Sequence, residues 1–105
     1  MHLVNSYSPA EQITWGKLAL AGAKAAEWPE SGGKRIAEVM DELWFALDIA
    51  EAIETNQVLP AVEYPELAGE PQAGRLALER AADEVAGWAE ELIRLFPAAA
   101  AASAR

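Results

Sequence analysis

One stretch decides the fold: IAEVMDELWFALDIAEAIE, at residues 36–54. Its apolar residues recur every three or four positions, which is the period of an amphipathic α-helix. The resulting core stripe consists of Ile36, Val39, Met40, Leu43, Leu47 and Ala50. This pattern predicts a helix over residues 34–54 that begins after the turn at 31–33 and buries one face.

The opposite face of this helix combines acidic and apolar side chains. The acids are Glu38, Asp41, Glu42 and Asp48, and Phe45 and Ile49 lie among them. Two interpretations stay open: the face packs against another part of the chain, or the apolar pair is an exposed anchor ringed by carboxylates. The second suits a partner that is basic at its rim, because opposite charges steer the encounter.

The end of the same helix departs from the usual charge pattern. Glu51 and Glu54 add negative charge where the helix dipole is already negative, and no Lys or Arg lies nearby in the sequence. Broken local rules of this kind are expected at functional sites.

Two more helices are predicted on either side. Ser8, Pro9 and Glu11 form a capping signal for a helix over 9–27, which Pro29 ends. That helix is apolar almost all round, which indicates burial on several sides or a surface for self-association. The third helix, residues 73–96, has one apolar stripe and an outer face of acids and arginines. Three pairs four residues apart are expected to interact there: Arg75–Glu79, Arg80–Glu84 and Glu90–Arg94.

The remaining segments are a long connection and a tail. Residues 55–72 contain three prolines and three glutamates without a basic residue. Within them, we expect residues 58–62 with Tyr64 to lie extended along the helices and cover part of their apolar faces. Residues 97–105 are an alanine-rich tail. The predicted architecture is a single all-α domain over 1–105: a small three-helix domain in which an N-terminal helix packs on a helix hairpin. A second copy would complete a four- or six-helix bundle.

Composition excludes many functions. The chain has 105 residues and a formal net charge of -9, so it repels nucleic acid and anionic lipid, and we expect it to bind neither directly. It has no cysteine and one histidine, His2, which excludes thiolate sites and sites with two histidines. It is 52% hydrophobic, too apolar for a disordered acidic tail, and shows neither a signal peptide nor a membrane-spanning stretch. We therefore expect a soluble cytoplasmic protein.

The spacing of the helical carboxylates raises the possibility of a magnesium site. Acids on two helices (Glu38, Asp41, Glu42, Asp48, Glu51 and Glu54 with Glu79 and Asp83) faintly resemble the magnesium site of all-α nucleotide pyrophosphohydrolases. The spacing departs from that family, whose second helix has acid pairs three apart, and no basic cluster is present to receive a triphosphate. Since di-iron, phosphate-loop and triad motifs are also missing, we predict no catalytic residue, cofactor or metal.

Tryptophan gives a further indication of binding. The chain has four, and core packing explains most tryptophans in a helical domain. Trp15 lies off the apolar stripe of its helix and Trp88 lies at the edge of its stripe. Of the four tryptophans, these two are therefore the ones we most expect to contact a partner.

Together these patterns predict a non-enzymatic module that docks onto a larger protein with a basic surface. One version is an inhibitor that presents carboxylates in place of phosphates, as small acidic phage proteins do against nucleases or CRISPR complexes. The alternatives are a homodimeric adaptor bundle and, less favoured, the magnesium-dependent pyrophosphohydrolase. The predicted contact residues are Trp15, Glu38, Asp41, Glu42, Phe45, Asp48, Ile49, Glu51, Glu54 and Trp88.

Overall fold

The computed structural model describes residues 7–101, so His2 and the last four residues of the alanine-rich tail lie outside it. Its helices are α1 (Pro9–Ala25), α2 (Gly33–Glu54), the short α3 (Pro60–Glu63) and α4 (Ala73–Leu95). Two 3₁₀ turns, Pro65–Leu67 and Pro97–Ala101, complete the elements. The described residues contain no strand, which confirms the all-α prediction.

The three long helices form the predicted hairpin with a packed N-terminal helix. Arg35 near the start of α2 reaches Glu91 near the end of α4, so these helices are antiparallel. Gln12 near the start of α1 contacts Asp83 in the middle of α4, and Gly22 faces Ala99 beyond the end of α4. α1 therefore runs parallel to α4 and antiparallel to α2. The centre of the core is made of fully buried Val39, Leu43, Val85 and Leu92.

The small residues of α1 allow close packing inside the chain. A Cβ on Gly16 would collide with the side chain of Val85, and one on Gly22 would collide with the backbone of Ala99. These positions are therefore used by α4 and by the C-terminal 3₁₀ turn, not by a second copy. α1 is buried where it meets α2, α4 and the C-terminal 3₁₀ turn, and Thr14, Lys17, Leu18 and Ala21 form an exposed face.

α1 ends at Ala25, two residues earlier than the sequence predicted. Ala26 is extended, with φ -82° and ψ 155°, and its N–H bonds to the carbonyl of Gly22. The indole of Trp28 folds back and donates to the carbonyl of Ala23 at 2.9 Å. This bond satisfies one of the carbonyls that the end of a helix leaves unpaired.

The connection at 55–72 is folded into turns, and the expectation that residues 58–62 lie extended is wrong, because Pro60–Glu63 form a helical turn. Pro60 and Pro65 each occupy the start of a helical turn, where a missing N–H costs nothing and the fixed φ is helical. Leu67 is buried and Tyr64 is half-buried against the core. The guanidinium of Arg80 lies 5.7 Å from the centre of the Tyr64 ring and also pairs with Glu66, which holds the connection on α4.

Candidate functional site

Two neighbouring aromatic side chains protrude from the middle of α2. Trp44 is 51% exposed and Phe45 is 58% exposed, although Leu43 beside them is fully buried. Their rings meet edge to face, with centroids 5.5 Å apart and an interplanar angle of 73°. We call Trp44 and Phe45 the aromatic pair. Because the two rings adjoin each other, they form a contiguous apolar patch instead of two scattered exposed side chains.

The predicted acids surround the aromatic pair. Asp41 and Glu42 lie one turn before Phe45 and Asp48 lies nearly one turn after it, which places all three beside its ring on the helix surface. We call these three carboxylates, with Glu38, the acidic rim. Within residues 7–101, Asp41, Glu42 and Asp48 have no cation within 4.0 Å.

The fourth member of the rim is loosely paired. Glu38 lies 3.7 Å from the guanidinium of Arg35, and both side chains are more than half exposed. An exposed pair at this separation contributes little, since exposed ion pairs are typically worth about 0–1 kcal/mol. The rim therefore keeps nearly all of its negative charge facing solvent.

The charges at the two ends of α2 reinforce the helix dipole instead of opposing it. Lys34 and Arg35 lie in the first turn, without an acid, and Glu51 and Glu54 lie in the last turn, without a base. Glu51 pairs with Lys17 of α1 at 2.7 Å, and this hydrogen bond raises the pKa of Lys17. Lys17 of α1 thus places one cation beside the last turn of α2, which has no basic residue of its own.

Trp44 lies on the α1 side of this surface. It is seven residues before Glu51, so the two residues share one side of α2, and Glu51 is the residue that contacts α1. Trp44 is not among the contact residues predicted from the sequence, which include Trp15 and Trp88 instead. The available signal was that Trp44 lies off the core stripe and directly precedes Phe45.

Three of the other predicted contact residues are more buried than the aromatic pair. Trp15 and Trp88 are half-buried and pack against the core. Ile49, expected to act with Phe45, is also half-buried against the core. Phe45 and the acidic rim are therefore brought together, whereas Trp15 lies on α1 and Trp88 lies beside a groove on α4.

The outer face of α4 neutralises much of its own charge, though not by all the pairs predicted. Arg75 bonds Glu79 at 2.8 Å as expected. The predicted pair Arg80–Glu84 is wrong, because Arg80 turns to Glu66 on the 3₁₀ turn. Arg94 bonds both carboxylate oxygens of Glu91 at 2.7 Å, a pair that the sequence did not predict.

The acids compared with a magnesium site do not converge in residues 7–101. Asp83 accepts a hydrogen bond from the buried Gln12 at 2.9 Å. No group of three or more His, Asp or Glu side chains in the described part of the chain has the arrangement to hold a metal ion. None of the described helices combines the length and the apolar character needed to cross a bilayer.

Comparisons with known proteins returned no match to a family model, a curated protein or a solved structure.

Proposed function

We propose that this protein is a binding module that docks onto a larger protein through the aromatic pair and the acidic rim. The observation that carries the proposal is the exposure of Trp44 and Phe45 next to three carboxylates without a cation partner in the described residues. The partner surface is expected to have an apolar pocket bordered by Lys or Arg side chains.

The two parts of the surface have different roles in this proposal. Aromatic side chains contribute most of the affinity at interfaces because they bury a large area with few rotatable bonds. The unpaired carboxylates accelerate the encounter with a basic surface and make it sensitive to salt. Since Asp41, Glu42 and Asp48 have no cation partner in the described residues, a cationic partner can bind these three carboxylates without breaking an ion pair of that part of the chain.

The charge of the rim also disfavours pairing of two copies through this face. In a twofold dimer the same patch lies on both sides of the interface, so Asp41, Glu42 and Asp48 would meet their own copies. A partner surface that binds nucleic acid has the opposite charge. The specific version we favour is an inhibitor whose carboxylates occupy phosphate positions on such a surface.

The test uses the full chain, immobilised and exposed to lysate of its native host or of a phage-infected host. The decisive comparison is among wild type, the double variant Trp44→Ala/Phe45→Ala and the neutralised variant Asp41→Asn/Glu42→Gln/Asp48→Asn. A true partner is retained by wild type and lost by both variants, and its retention falls as salt is raised. Each hit is then purified and its Kd measured over a range of salt concentrations.

Matched controls separate this face from general stickiness and general charge. Leu18→Ala removes an exposed apolar side chain from α1, and Glu70→Gln removes an exposed carboxylate from the connection. Both should retain the partner. If the aromatic and neutralised variants bind as wild type does, the proposal is wrong.

A further inference from the structure

A shallow groove of about 410 Å³ lies between α2 and α4, on the side of α2 that carries Arg35. Its lining consists of Arg35, Glu84, Gly87, Trp88 and Glu91. Gly87 leaves the groove open, since no atom lies within 4 Å of where its Cβ would be. The indole of Trp88 therefore packs on the core and also borders an unfilled space.

One end of the groove is closed by ion pairs. Both carboxylate oxygens of Glu91 accept hydrogen bonds from Arg94 at 2.7 Å, and Arg35 lies 3.7 Å away. The bonds from Arg94 lower the pKa of Glu91. This end already holds two guanidinium groups.

The other end has a carboxylate but no cation in the described residues. Glu84 lies one turn before Trp88, and Arg80, which could have paired with it, bonds Glu66 instead. Partial desolvation of the carboxyl, together with the charge of Glu63, raises the pKa of Glu84. A cation placed here would favour the charged carboxylate and so oppose this rise in the pKa.

The groove adjoins the docking surface of α2. Arg35 lies 3.7 Å from Glu38 of the acidic rim and 3.7 Å from Glu91 of the groove. A protein seated on the acidic rim thus has the groove at its margin. Since that partner is expected to carry cations, one of them can enter the groove without displacing any ion pair.

We propose that this groove binds the guanidinium group of an arginine side chain of the docked protein, stacked on Trp88 and paired with Glu84. The inference rests on the proposed function for the source of the arginine, but the chemistry of the groove can be tested alone. The closed end shows the kind of pairing that we propose for Glu84, since Arg94 bonds both carboxylate oxygens of Glu91.

Arginine fits better than lysine for two reasons. Its planar guanidinium stacks on an indole face while offering two parallel N–H donors to a carboxylate. The ammonium of lysine is a compact, strongly hydrated charge and loses more hydration on entering a groove.

The experiment titrates the ¹⁵N-labelled full chain with N-acetyl-arginine amide, an arginine whose charge is confined to its side chain. We expect saturable shifts of the Trp88 indole N–H and the Gly87 amide, with the Trp44 indole N–H unmoved. N-acetyl-citrulline amide, which has the same shape but no charge, should produce no saturable shift, and N-acetyl-lysine amide should bind more weakly.

Two variants complete the test. Glu84→Gln should raise the Kd for the arginine amide about tenfold, in line with the loss of a charge-assisted hydrogen bond. Glu70→Gln, which removes one exposed charge elsewhere, should change it less than twofold. Equal effects of the two variants, equal binding of citrulline, or shifts spread over the acidic rim would overturn the proposal.

The outcome is separable from that of the proposed function. Failure of the arginine amide to bind leaves the capture by Trp44 and Phe45 untouched. If capture fails while the groove binds the amide, the groove is a guanidinium site and the docking surface is wrong.

Discussion

The outer faces of α2 and α4 are both acidic, but the acids of α4 are largely paired with arginines and those of α2 are largely unpaired in the described residues. On α4, Arg75 bonds Glu79 at 2.8 Å and Arg94 bonds Glu91 at 2.7 Å. On α2, three of the four rim carboxylates have no cation within 4.0 Å in the described residues. The last turn of α4 carries a base that opposes its dipole, whereas the last turn of α2 carries none.

This difference in charge pairing supports the proposal that the face of α2 is a docking surface and the face of α4 is not. The face of α4 satisfies many of its charges within the chain, so solubility and small contributions to helix stability explain them. The face of α2 leaves both charge and aromatic area to solvent, and neither arrangement stabilises the fold. Departures from local consistency that concentrate on one face are expected at a functional surface.

The largest effect we expect separates the two faces of α2. Leu43→Ala should lower the free energy of unfolding by about 2–5 kcal/mol, because it opens a cavity where Leu43 is fully buried. Phe45→Ala, two residues along, should change it by no more than about 0.5 kcal/mol, because the ring is 58% exposed. Chemical denaturation of both variants measures the contrast. A loss above about 1.5 kcal/mol for Phe45→Ala would mean that the ring is structural.

The next effect concerns how closely α1 packs on the other helices. Gly16→Ala should destabilise by about 1–3 kcal/mol, since its Cβ would enter the space of the buried Val85 side chain. Gly87→Ala, in the middle of α4 with open space around its Cβ, should stabilise by up to about 1 kcal/mol through helix propensity. Thermal melts of the two variants should shift in opposite directions, and shifts of the same sign would contradict the packing of α1.

A smaller effect tests the reversed charge pattern of α2. Glu54→Lys places a cation at the negative end of the helix dipole, which is worth about 0.3–1 kcal/mol at low salt, and we expect this gain to exceed the lost attraction between Glu54 and the exposed Lys17. Arg94→Glu in the last turn of α4 should do the opposite, because it also removes the pair with Glu91. Unfolding should be followed at low and high salt, since both effects are expected to shrink with screening. If Glu54→Lys destabilises, the acids of α2 serve the fold.

The helices and their buried faces could be predicted from the sequence, because a helix with one buried face has apolar residues every three or four positions. The stripe from Ile36 to Ala50 marks the buried side of α2, and the acids of the outer face follow by exclusion. Phe45 was placed on that face by the same argument. These features depend on neighbours within one helix, which a sequence displays directly.

Features that depend on tertiary neighbours were missed or misassigned. Arg80 has Glu84 at the right spacing but bonds Glu66, which only the folded connection brings near. Pro60 and Pro65 end a helical period, yet each also begins a turn. Trp44 lies off the core stripe of α2, but its exposure also depends on where α1 packs, which only the fold shows.

The smallest effect at neutral pH concerns Tyr64, which lies between the connection and α4. Burial raises the pKa of Tyr64 to about 12, and the charges of Glu84 and Glu63 add to the shift. The unfolded chain releases this proton near pH 10.0, as an ordinary tyrosine does, so stability is unaffected below that pH and falls as the pH rises from about 10 to about 12. Tyr64→Phe should flatten this decline.

The phenol can be followed directly in a Tyr7→Phe background, where Tyr64 is the remaining tyrosine. Spectrophotometric titration of the folded chain should show tyrosinate forming near pH 12. Neutralising Glu84 should lower that midpoint, because one of the charges that oppose ionisation is gone. A titration midpoint near pH 10 would mean that the phenol of Tyr64 is in solvent. The connection would then not pack against α4.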